Sequence, residues 1–405
     1  MPAIDRAELD ARVEKIYAQV VAWRRHIHEN PDLSYEEEPT AAYILGELRK
    51  MDSEGKYLHI TQPMPNCVVA DIKGGAGAGP TIALRADIDA LPVVELTDVP
   101  FASKKKGVMH ACGHDTHAAM LLGAAQLLLE DAARIKGTVR LLFQPAEEVP
   151  PGGAEVMVAK GCMEGVSMVF GQHILPQRDG PTGCVLVRRG PILRSSDTLH
   201  VEVIGRGGHA ALPERAVDPI AIAALVVTAV QQVVSRRMPP SKSPIFTITS
   251  FQSSSDSYNV IPDKVTLKGT LRCVDSNVRT DAKVAIEEAM RGVTASFGAS
   301  CDFKWLPGYD VTVNNEEAYN VGMRVLKQIL PSKDMIVVLP ECMAASEDFS
   351  AFAKVAPANY VGIGCYNESE GCTAANHNAK FKVDEQAMKV GVKVHVGLIH
   401  ELLMS

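Results

Sequence analysis

The chain has 405 residues, of which 46% are hydrophobic and 22% are charged, an ordinary composition for a soluble globular protein. This length is enough for two domains. The formal net charge of −7 argues against a general nucleic-acid binder, because such a protein carries a basic surface. We therefore expect no nucleic-acid partner.

Membrane association and secretion are also not expected. Residues 1–15 are charged and lack the apolar centre of a signal peptide. No charge-free apolar run reaches the roughly 18 residues that a membrane span needs, and the longest candidate, residues 219–234, is short and amphipathic. The nine cysteines are odd in number and follow no spacing framework, so we predict a reducing, cytoplasmic setting without disulfides.

In the first part of the chain, helix patterns alternate with strand patterns. Helices are predicted over residues 6–30, 36–51, 118–131 and 153–160. Strands are predicted over residues 66–73, 81–86, 137–143 and 166–172. This alternation predicts an α/β domain with a mostly parallel sheet flanked by helices. His26 and His28, near the end of the first helix, are interpreted as solvated or as satisfying the helix dipole.

From about residue 191 the order of elements changes to βαββαβ, which is typical of a ferredoxin-like α+β unit. Its predicted strands are residues 199–205, 245–251, 264–273 and 300–306, and its predicted helices are residues 219–236 and 277–297. The α/β pattern then resumes, with helices over residues 316–330, 346–355 and 384–404 and strands over residues 335–339 and 359–364. We infer a discontinuous domain, residues 1–190 and 308–405, interrupted by an inserted domain, residues 191–307.

Polar side chains gather where strands of the predicted α/β domain end. They are Cys112 and His114, Glu147 and Glu148, His173, and, late in the chain, His377. Groups at the carboxyl ends of the strands of an open sheet share one edge, and thiolate and imidazole are ligands that Zn²⁺ prefers. The alternatives are a histidine-bearing helix start packed in a core and a solvated pair of glutamates.

Neighbouring carboxylates at a metal site can divide the work. One coordinates the ion, and the other takes a proton from a water whose pKa the ion lowers towards about 7. Glu147 and Glu148 are therefore candidates for a base and a ligand.

Several motifs together resemble the M20 metallopeptidase family, and most closely its amidohydrolase branch of aminoacylases, hippurate hydrolases and auxin-conjugate hydrolases. The motifs are residues 109–117, 143–148, 171–173, 205–213 and 346–349, with His377. They run in order across nearly the whole chain. The resemblance implies a catalytic α/β domain with an inserted dimerisation or lid domain, in agreement with the element order.

The resemblance also implies a centre of two divalent metal ions. The implied ligands are Cys112, His114, Glu148, His173 and His377, with the Cys112 thiolate bridging the ions. Glu147 would be the general base that activates water and then protonates the leaving amine. Asp87 matches a family aspartate that does not bind the metal itself but orients one of the ligands. The alternative is that Asp87 is a turn residue after a strand. His117 is expected to face its helix or solvent.

Three residues of the inserted domain match substrate-binding positions. His209 would stabilise the oxyanion, often from the partner subunit, and Asn259 and Arg272 would bind the substrate carboxylate. Without the resemblance, Arg272 is interpreted as a surface strand residue. The chain departs from the family at residues 253–257, where Ser-Ser-Ser-Asp-Ser replaces the usual glycines and leaves the backbone less free to approach a ligand.

We predict a metal-dependent amidohydrolase that cleaves N-acyl amino acids or related conjugates, with Zn²⁺ or Mn²⁺, or else Co²⁺ or Ni²⁺, in a homodimer or a homotetramer. The alternatives are a dipeptidase or carboxypeptidase of the same fold, a binding protein that has lost catalysis, and a cysteine hydrolase with Cys112 as nucleophile. The complete set of predicted ligands and general base argues against a binding protein that has lost catalysis, since such a protein needs no base.

Overall fold

The computed structural model of the protein describes residues 4–178 and 180–404 and divides them into two units. Unit 1 comprises the described residues up to Ile192, then Val313–Glu341 and the described residues from Asp348. Unit 2 comprises Leu193–Thr312 and Cys342–Glu347. The last segment, which the sequence analysis assigned to the catalytic domain, joins unit 2 because the Arg194 backbone N–H donates to Ala345 O at 2.9 Å.

The helices and strands are numbered in chain order. The helices are α1 (Arg6–Glu29), α2 (Glu38–Met51), α3 (His114–Glu130), α4 (Gly153–Ala159), α5 (Pro219–Gln232), α6 (Ser276–Ser296), α7 (Glu316–Ile329), α8 (Ser350–Ala353) and α9 (Ala387–Leu403). The strands are β1 (Leu58–Thr61), β2 (Val68–Lys73), β3 (Thr81–Asp87), β4 (Thr138–Gln144), β5 (Val166–Leu175), β6 (Val185–Val187), β7 (Gly190–Leu193), β8 (Asp197–Ile204), β9 (Gly208–His209), β10 (Ile245–Ser253), β11 (Val260–Ile261), β12 (Lys264–Arg272), β13 (Ser300–Pro307), β14 (Thr312–Asn314), β15 (Ile336–Val338) and β16 (Ala358–Gly364).

Unit 1 is built on a sheet of eight strands in the order β1-β2-β4-β3-β5-β16-β6-β15. The central strands β4, β3, β5 and β16 are parallel to one another. Their residues are almost all buried, which matches their nearly continuous apolar sequences. The predicted fold, a mostly parallel sheet flanked by helices, is confirmed.

The register of this sheet brings polar residues to one edge. Asp87, the last residue of β3, lies opposite Gln144, the last residue of β4. On the other side of β3, Arg85 lies opposite Gly171 of β5, two residues before His173. The parallel direction therefore places the carboxyl ends of β3, β4 and β5 side by side, where open α/β sheets form sites.

Three differences from the predicted elements concern this edge. α3 begins at His114 rather than at residue 118, and β5 continues to Leu175, so that His173 lies within a strand. α8 has only four residues, Ser350–Ala353. The segment before it is held out of a helix because Asp348 accepts hydrogen bonds from Arg85, at 3.0 Å, and from Gln144 Nε2, at 2.7 Å.

The sequence analysis interpreted His28 as solvated or as satisfying the helix dipole, but the structure places it in the interior. Its side chain is buried, and its two ring nitrogens lie 2.8 Å from Asp115 Oδ2 and 3.2 Å from Glu95 Oε1. Burial opposes a charge on this ring, but the charge of Asp115 and the hydrogen bonds to both carboxylates raise the pKa of His28. His28 thus joins α1 to the first turn of α3.

Unit 2 contains a four-stranded antiparallel sheet in the order β10-β12-β8-β13. Helices α5 and α6 pack on it, and the chain order is the predicted βαββαβ. Inward residues such as Leu199, Val201 and Val203 of β8 alternate with more exposed ones, so the sheet buries one face against the helices.

The helix that begins with α5 agrees with the predicted helix over residues 219–236 to within one residue, because a π-helical segment extends it to Arg237. Over 18 residues of this helix the mean hydropathy is 1.5, so by length and composition alone it could cross a membrane. Its inward residues Ile222, Ala223 and Val226 are instead buried in the core of unit 2.

Candidate metal centre

The turn Cys112-Gly113-His114 aims two of the predicted ligands at one place. Gly113 has φ +93°, and a Cβ atom there would lie 2.3 Å from Ile174 Cγ2, so only glycine fits this bend. His114 follows as the first residue of α3, and both side chains are buried. The glycine therefore allows a thiol and an imidazole two residues apart to converge.

Two more histidines reach the same place from β5 and from the segment before α9. His173 Nε2 lies 3.3 Å from Cys112 Sγ, and its Nδ1 donates to Ile174 O at 2.7 Å, which leaves Nε2 as an electron-pair donor. His377 has φ +67°, and its backbone N–H donates to Ala111 O at 2.7 Å. His377 is thus held beside the Cys112 turn in a conformation that is unfavourable for a residue with a Cβ atom.

The two glutamates lie on the loop that follows β4. Ala146, with φ +52°, turns the chain immediately before them. Glu148 Oε1 is 3.3 Å from His377 Nε2 and 3.8 Å from His114 Nε2. Glu147 is buried beside them, with a carboxylate oxygen within 4.8 Å of donor atoms of His114 and Glu148. A base and a ligand could therefore work side by side here.

Two of the groups of donor atoms overlap at Cys112. Cys112, His114 and His173 make one, and Cys112, Glu148 and His377 make the other, with the donor atoms of each group within 4.8 Å of one another. Cys112 belongs to both. Two ions bound in these groups would share its sulfur, which is the arrangement that the resemblance implies.

An orphaned polar atom tests whether this pocket fits metal ions. Among residues 4–178 and 180–404, His114 Nε2 is buried without a hydrogen-bond partner. Such an atom is costly to bury unless something binds it. Sulfur, imidazole and carboxylate donors together suit Zn²⁺ and its neighbours among the transition metals. The donor set therefore fits metal ions.

Asp89 holds His114 in the orientation that a ligand needs. His114 Nδ1 donates to Asp89 Oδ1 at 3.1 Å, so that Nε2 points into the pocket without a proton when a metal binds. The other oxygen of Asp89 accepts from the backbone N–H of Glu148 at 2.9 Å and from Ser34 Oγ at 2.7 Å. One buried carboxylate thus positions two predicted ligands, His114 of α3 and Glu148 of the loop after β4.

Asp87, to which the sequence analysis gave the orienting role, has different hydrogen-bond partners. It accepts from His117 Nδ1 at 2.5 Å and from Arg85 at 2.9 Å, while His114 Nε2 is 3.6 Å away. His117 was expected to face its helix or solvent, and the structure shows that it is fully buried. Its Nε2 accepts the backbone N–H of Ile174 at 2.8 Å, so Asp87 and His117 brace the strand next to His173.

Arg85, Asp89 and Asp348 also belong to the site, although none of the three was predicted from the sequence. Arg85 is a fully buried guanidinium that binds both Asp87 and Asp348. A signal for two of the three was present, because Arg85, Asp87 and Asp89 alternate with Ala86 and Ile88 at the end of an apolar strand. A period of two puts charged residues on one face of a strand. Asp348 lies within the motif at residues 346–349, but its contact with Arg85 was not predictable, since the two residues are 263 positions apart.

The negative charges around the pocket favour the binding of a cation. Burial opposes a charge on His114, but Asp87, Asp89 and Glu148 raise the pKa of His114 to about 10. Burial and the charges of Glu148 and Glu147 raise the pKa of the Cys112 thiol well above its usual value. A metal-free Cys112 is therefore a protonated thiol, which argues against the cysteine-hydrolase alternative, because the nucleophile in such enzymes is a thiolate of lowered pKa.

In unit 2, His209 and Asn259 lie together. His209 of β9 pairs with Val260 of β11, and the Ala210 N–H donates to Asn259 O at 3.0 Å. In the segment where the family usually has glycines, serine side chains hydrogen-bond to the backbone. The Ser255 N–H donates to Ser253 Oγ at 3.1 Å, and the Ser257 N–H donates to Ser255 Oγ at 3.3 Å.

Arg272 is not close to this pair within the unit. It ends β12, which begins at Lys264, three residues after β11, so about 26 Å of extended strand separate the two ends. Arg272 is partly buried and donates to Ser346 Oγ at 3.2 Å. His209 and Asn259 therefore lie near the start of β12, and Arg272 lies at its end.

Comparison with known proteins agrees with the residues gathered here. The model of peptidase family M20/M25/M40 matches residues 83–401. This chain belongs to that family. It is 41% identical to thermostable carboxypeptidase 2 of Saccharolobus solfataricus, over 95% of each chain. It is 40% identical to the N-acyl-L-amino acid amidohydrolase of Geobacillus stearothermophilus, over 77% of this chain and 82% of the other.

A solved structure is similar along the whole length. The YxeP protein of Bacillus subtilis, described as a dinuclear metal-binding peptidase from the M20 family, has a TM-score of 0.81 and 32% identity, covering 95% of this chain and 98% of that one. The predicted family is confirmed, and with it the prediction of a hydrolase that acts on amide bonds.

Asp89→Asn should weaken metal binding by about 10- to 100-fold, because the buried anion that orients His114 and stabilises the bound ion is lost. The measurement is Zn²⁺ affinity by competition with a chromophoric chelator. Asp98→Asn is the matched control, since Asp98 is an exposed carboxylate paired with Lys382. Equal affinity in the wild type and both variants would contradict the role of Asp89.

Metal affinity should rise with pH between about 6.5 and 8.5. The raised pKa values of His114 and Cys112 mean that both groups carry protons in the metal-free protein at these pH values, and each must lose its proton to coordinate an ion. We expect a gain of about tenfold or more per pH unit, measured by the same chelator competition. A flat profile would show that neither group is protonated before binding.

Proposed function

We propose that this protein is a metal-dependent amidohydrolase that cleaves the amide bond of N-acyl amino acids or related amino-acid conjugates. The observation that carries the proposal is the pair of three-donor groups that share Cys112, with the buried carboxylate of Glu147 beside them. A structural site would need the donors but not a further carboxylate at the same place.

We propose two divalent metal ions per chain, held by Cys112, His114 and His173 and by Cys112, Glu148 and His377. Bound there, the ions would polarise the substrate carbonyl and make water acidic enough to supply hydroxide at neutral pH. Zn²⁺ or Mn²⁺ is favoured, with Co²⁺ and Ni²⁺ as alternatives, because sulfur and imidazole donors occur with carboxylate. Elemental analysis of the purified protein tests both number and identity.

Glu147 moves the proton in this mechanism. Its carboxylate takes a proton from the attacking water and passes it to the amide nitrogen as that nitrogen leaves. His114 stays in place because Asp89 holds its Nδ1–H, and His173 stays in place because its Nδ1–H is bound to Ile174 O. The groups around the reacting atoms are therefore preorganised by hydrogen bonds formed before substrate arrives.

Glu147→Gln should lower kcat by about 10²-fold or more while metal content stays the same, because the amide cannot accept the proton but is not a predicted ligand. Steady-state kinetics with elemental analysis is the measurement. Glu155→Gln, on the exposed face of α4, is the matched control and should behave as the wild type. Near-normal turnover by the Glu147 variant would refute the mechanism.

We propose that His209 stabilises the oxyanion and that Asn259 and Arg272 bind the substrate carboxylate, in a homodimer. The separation of about 26 Å between the ends of β12 supports the dimer, since one copy of unit 2 cannot bring all three residues to one small substrate. Exposed apolar residues support it as well: Ile220 and Leu225 on α5, and Phe251 on the edge strand β10.

Leu225→Glu should shift the protein from dimer to monomer, because it puts a charge into the apolar face of α5. Analytical ultracentrifugation measures the shift, and activity should fall with it if His209 acts on the partner's substrate. Val355→Glu, at an equally exposed valine of unit 1, is the control. A monomeric wild type with full activity would refute the dimer, and a tetramer would extend it.

A carboxypeptidase or dipeptidase activity is the second candidate, because the relative from Saccharolobus solfataricus carries the name carboxypeptidase. A panel of N-acetyl amino acids, hippurate and dipeptides, run with and without chelator, separates the two. We expect the highest kcat/KM for N-acyl amino acids, loss of activity with chelator and its return with metal. Preference for dipeptides would favour the second candidate, and activity indifferent to chelator would refute both.

We also propose a cytoplasmic location. It is supported by the cysteines, since no disulfide joins those of residues 4–178 and 180–404, and by the thiol that the metal centre requires. Cell fractionation tests it.

A further inference from the structure

The loop that carries Glu147 and Glu148 is held at both ends by one stretch of the N-terminal region, residues 32–37, which we call the bracing segment. Glu37 Oε1 accepts the backbone N–H of Ala146, the residue before Glu147, at 2.7 Å. Beyond Glu148, Tyr35 donates its hydroxyl to Val149 O at 2.8 Å and accepts the Gly152 N–H at 3.3 Å. The two glutamates therefore lie between two points of attachment to the same segment.

The bracing segment and the loop with the glutamates each contain one residue with an unfavourable backbone conformation. Ala146 has φ +52° and Tyr35 has φ +71°, a region that residues with a Cβ atom rarely adopt. Glu37 Oε1 accepts from the N–H of Tyr35 as well, at 3.0 Å. One carboxylate oxygen thus holds the two strained residues against each other, and strained residues persist only where the surroundings over-determine them.

The carboxylate of Glu37 is itself fixed. It is fully buried, and its other oxygen accepts from Asn66 Nδ2 at 2.9 Å. The rest of the bracing segment is tied to the loop after β3: the Ala90 N–H donates to Asp32 O at 2.8 Å, and Ser34 donates to Asp89 at 2.7 Å. The same segment therefore touches both the loop with the glutamates and the aspartate that orients His114.

We infer that Glu37 and Tyr35 are positioning residues that set where the carboxylates of Glu147 and Glu148 lie in the metal centre. The inference rests on the proposed function of these two glutamates. Neither positioning residue belongs to the groups of donor atoms. Their effect passes through the backbone at Ala146 and Val149, so it should appear in kcat and in metal retention rather than in substrate binding.

The decisive pair of variants is Glu37→Leu and Glu37→Gln. Leucine removes the acceptor and leaves the N–H groups of Ala146 and Tyr35 without a partner. Glutamine keeps an oxygen for both, and the Asn66 amide can turn its own oxygen towards the new NH₂ group. With an N-acetyl amino acid as substrate, we expect Glu37→Leu to lose about 10- to 100-fold in kcat with little change in KM, and Glu37→Gln to stay near the wild type.

Tyr35→Phe tests the same positioning role if the Glu37→Leu protein does not fold. The Tyr35 side chain is about half exposed, so the loss of its hydroxyl leaves the core unchanged. We expect a several-fold loss of kcat with an unchanged melting temperature. Tyr366→Phe is the matched control, because it removes a tyrosine hydroxyl that donates to Glu368 at 2.6 Å, away from the glutamate loop, and should have no effect.

A second readout does not depend on catalysis. The Zn²⁺-loaded proteins are treated with EDTA, and the rate of metal loss is followed. If Glu148 is misplaced, Glu37→Leu and Tyr35→Phe should lose zinc faster than the wild type, Glu37→Gln and Tyr366→Phe. Should the wild type hydrolyse no amide while this ranking holds, the proposed function fails and the positioning role stands. Equal kcat and equal zinc loss in wild type and Tyr35→Phe would overturn the inference.

Discussion

The buried thiol of Cys112 lies among three histidines and a glutamate, and its burial determines which groups can bind beside it. Carboxylates of Asp87, Asp89 and Glu148 act on one imidazole, and they raise the pKa of His114 to about 10. Low-dielectric surroundings make such a cluster of anions unfavourable unless cations join it. Protons on His114 and Cys112 meet that need in the metal-free protein, and metal ions would replace them.

The guanidinium of Arg85 is a permanent cation beside this cluster of carboxylates. Arg85 is fully buried and binds Asp87 and Asp348, so it offsets part of the negative charge behind the pocket. Removing one partner of such a buried pair leaves an uncompensated charge, which makes this network more a device for holding geometry than a source of stability. Through Asp348, the same arginine ties β3 to the segment before α8.

Residues with positive φ other than glycine are gathered around the centre. Among the described residues they are Tyr35, Ala146 and His377. Each is held by a short hydrogen bond between distant parts of the chain, such as that from the His377 N–H to Ala111 O at 2.7 Å. Conformations of this kind are kept where the position of a side chain matters. Here they surround the side chains that the proposed mechanism uses.

The sequence by itself determined the family, the mostly parallel sheet and the candidate ligands, because strand periodicity and short motifs such as Cys112-Gly113-His114 are local. Only the tertiary structure decided that Asp89 rather than Asp87 binds His114 Nδ1, and that Glu37 holds the turn before Glu147. These hydrogen bonds join residues 25 and 109 positions apart. No local pattern encodes such pairings, since they follow from which loops meet at one edge of the sheet.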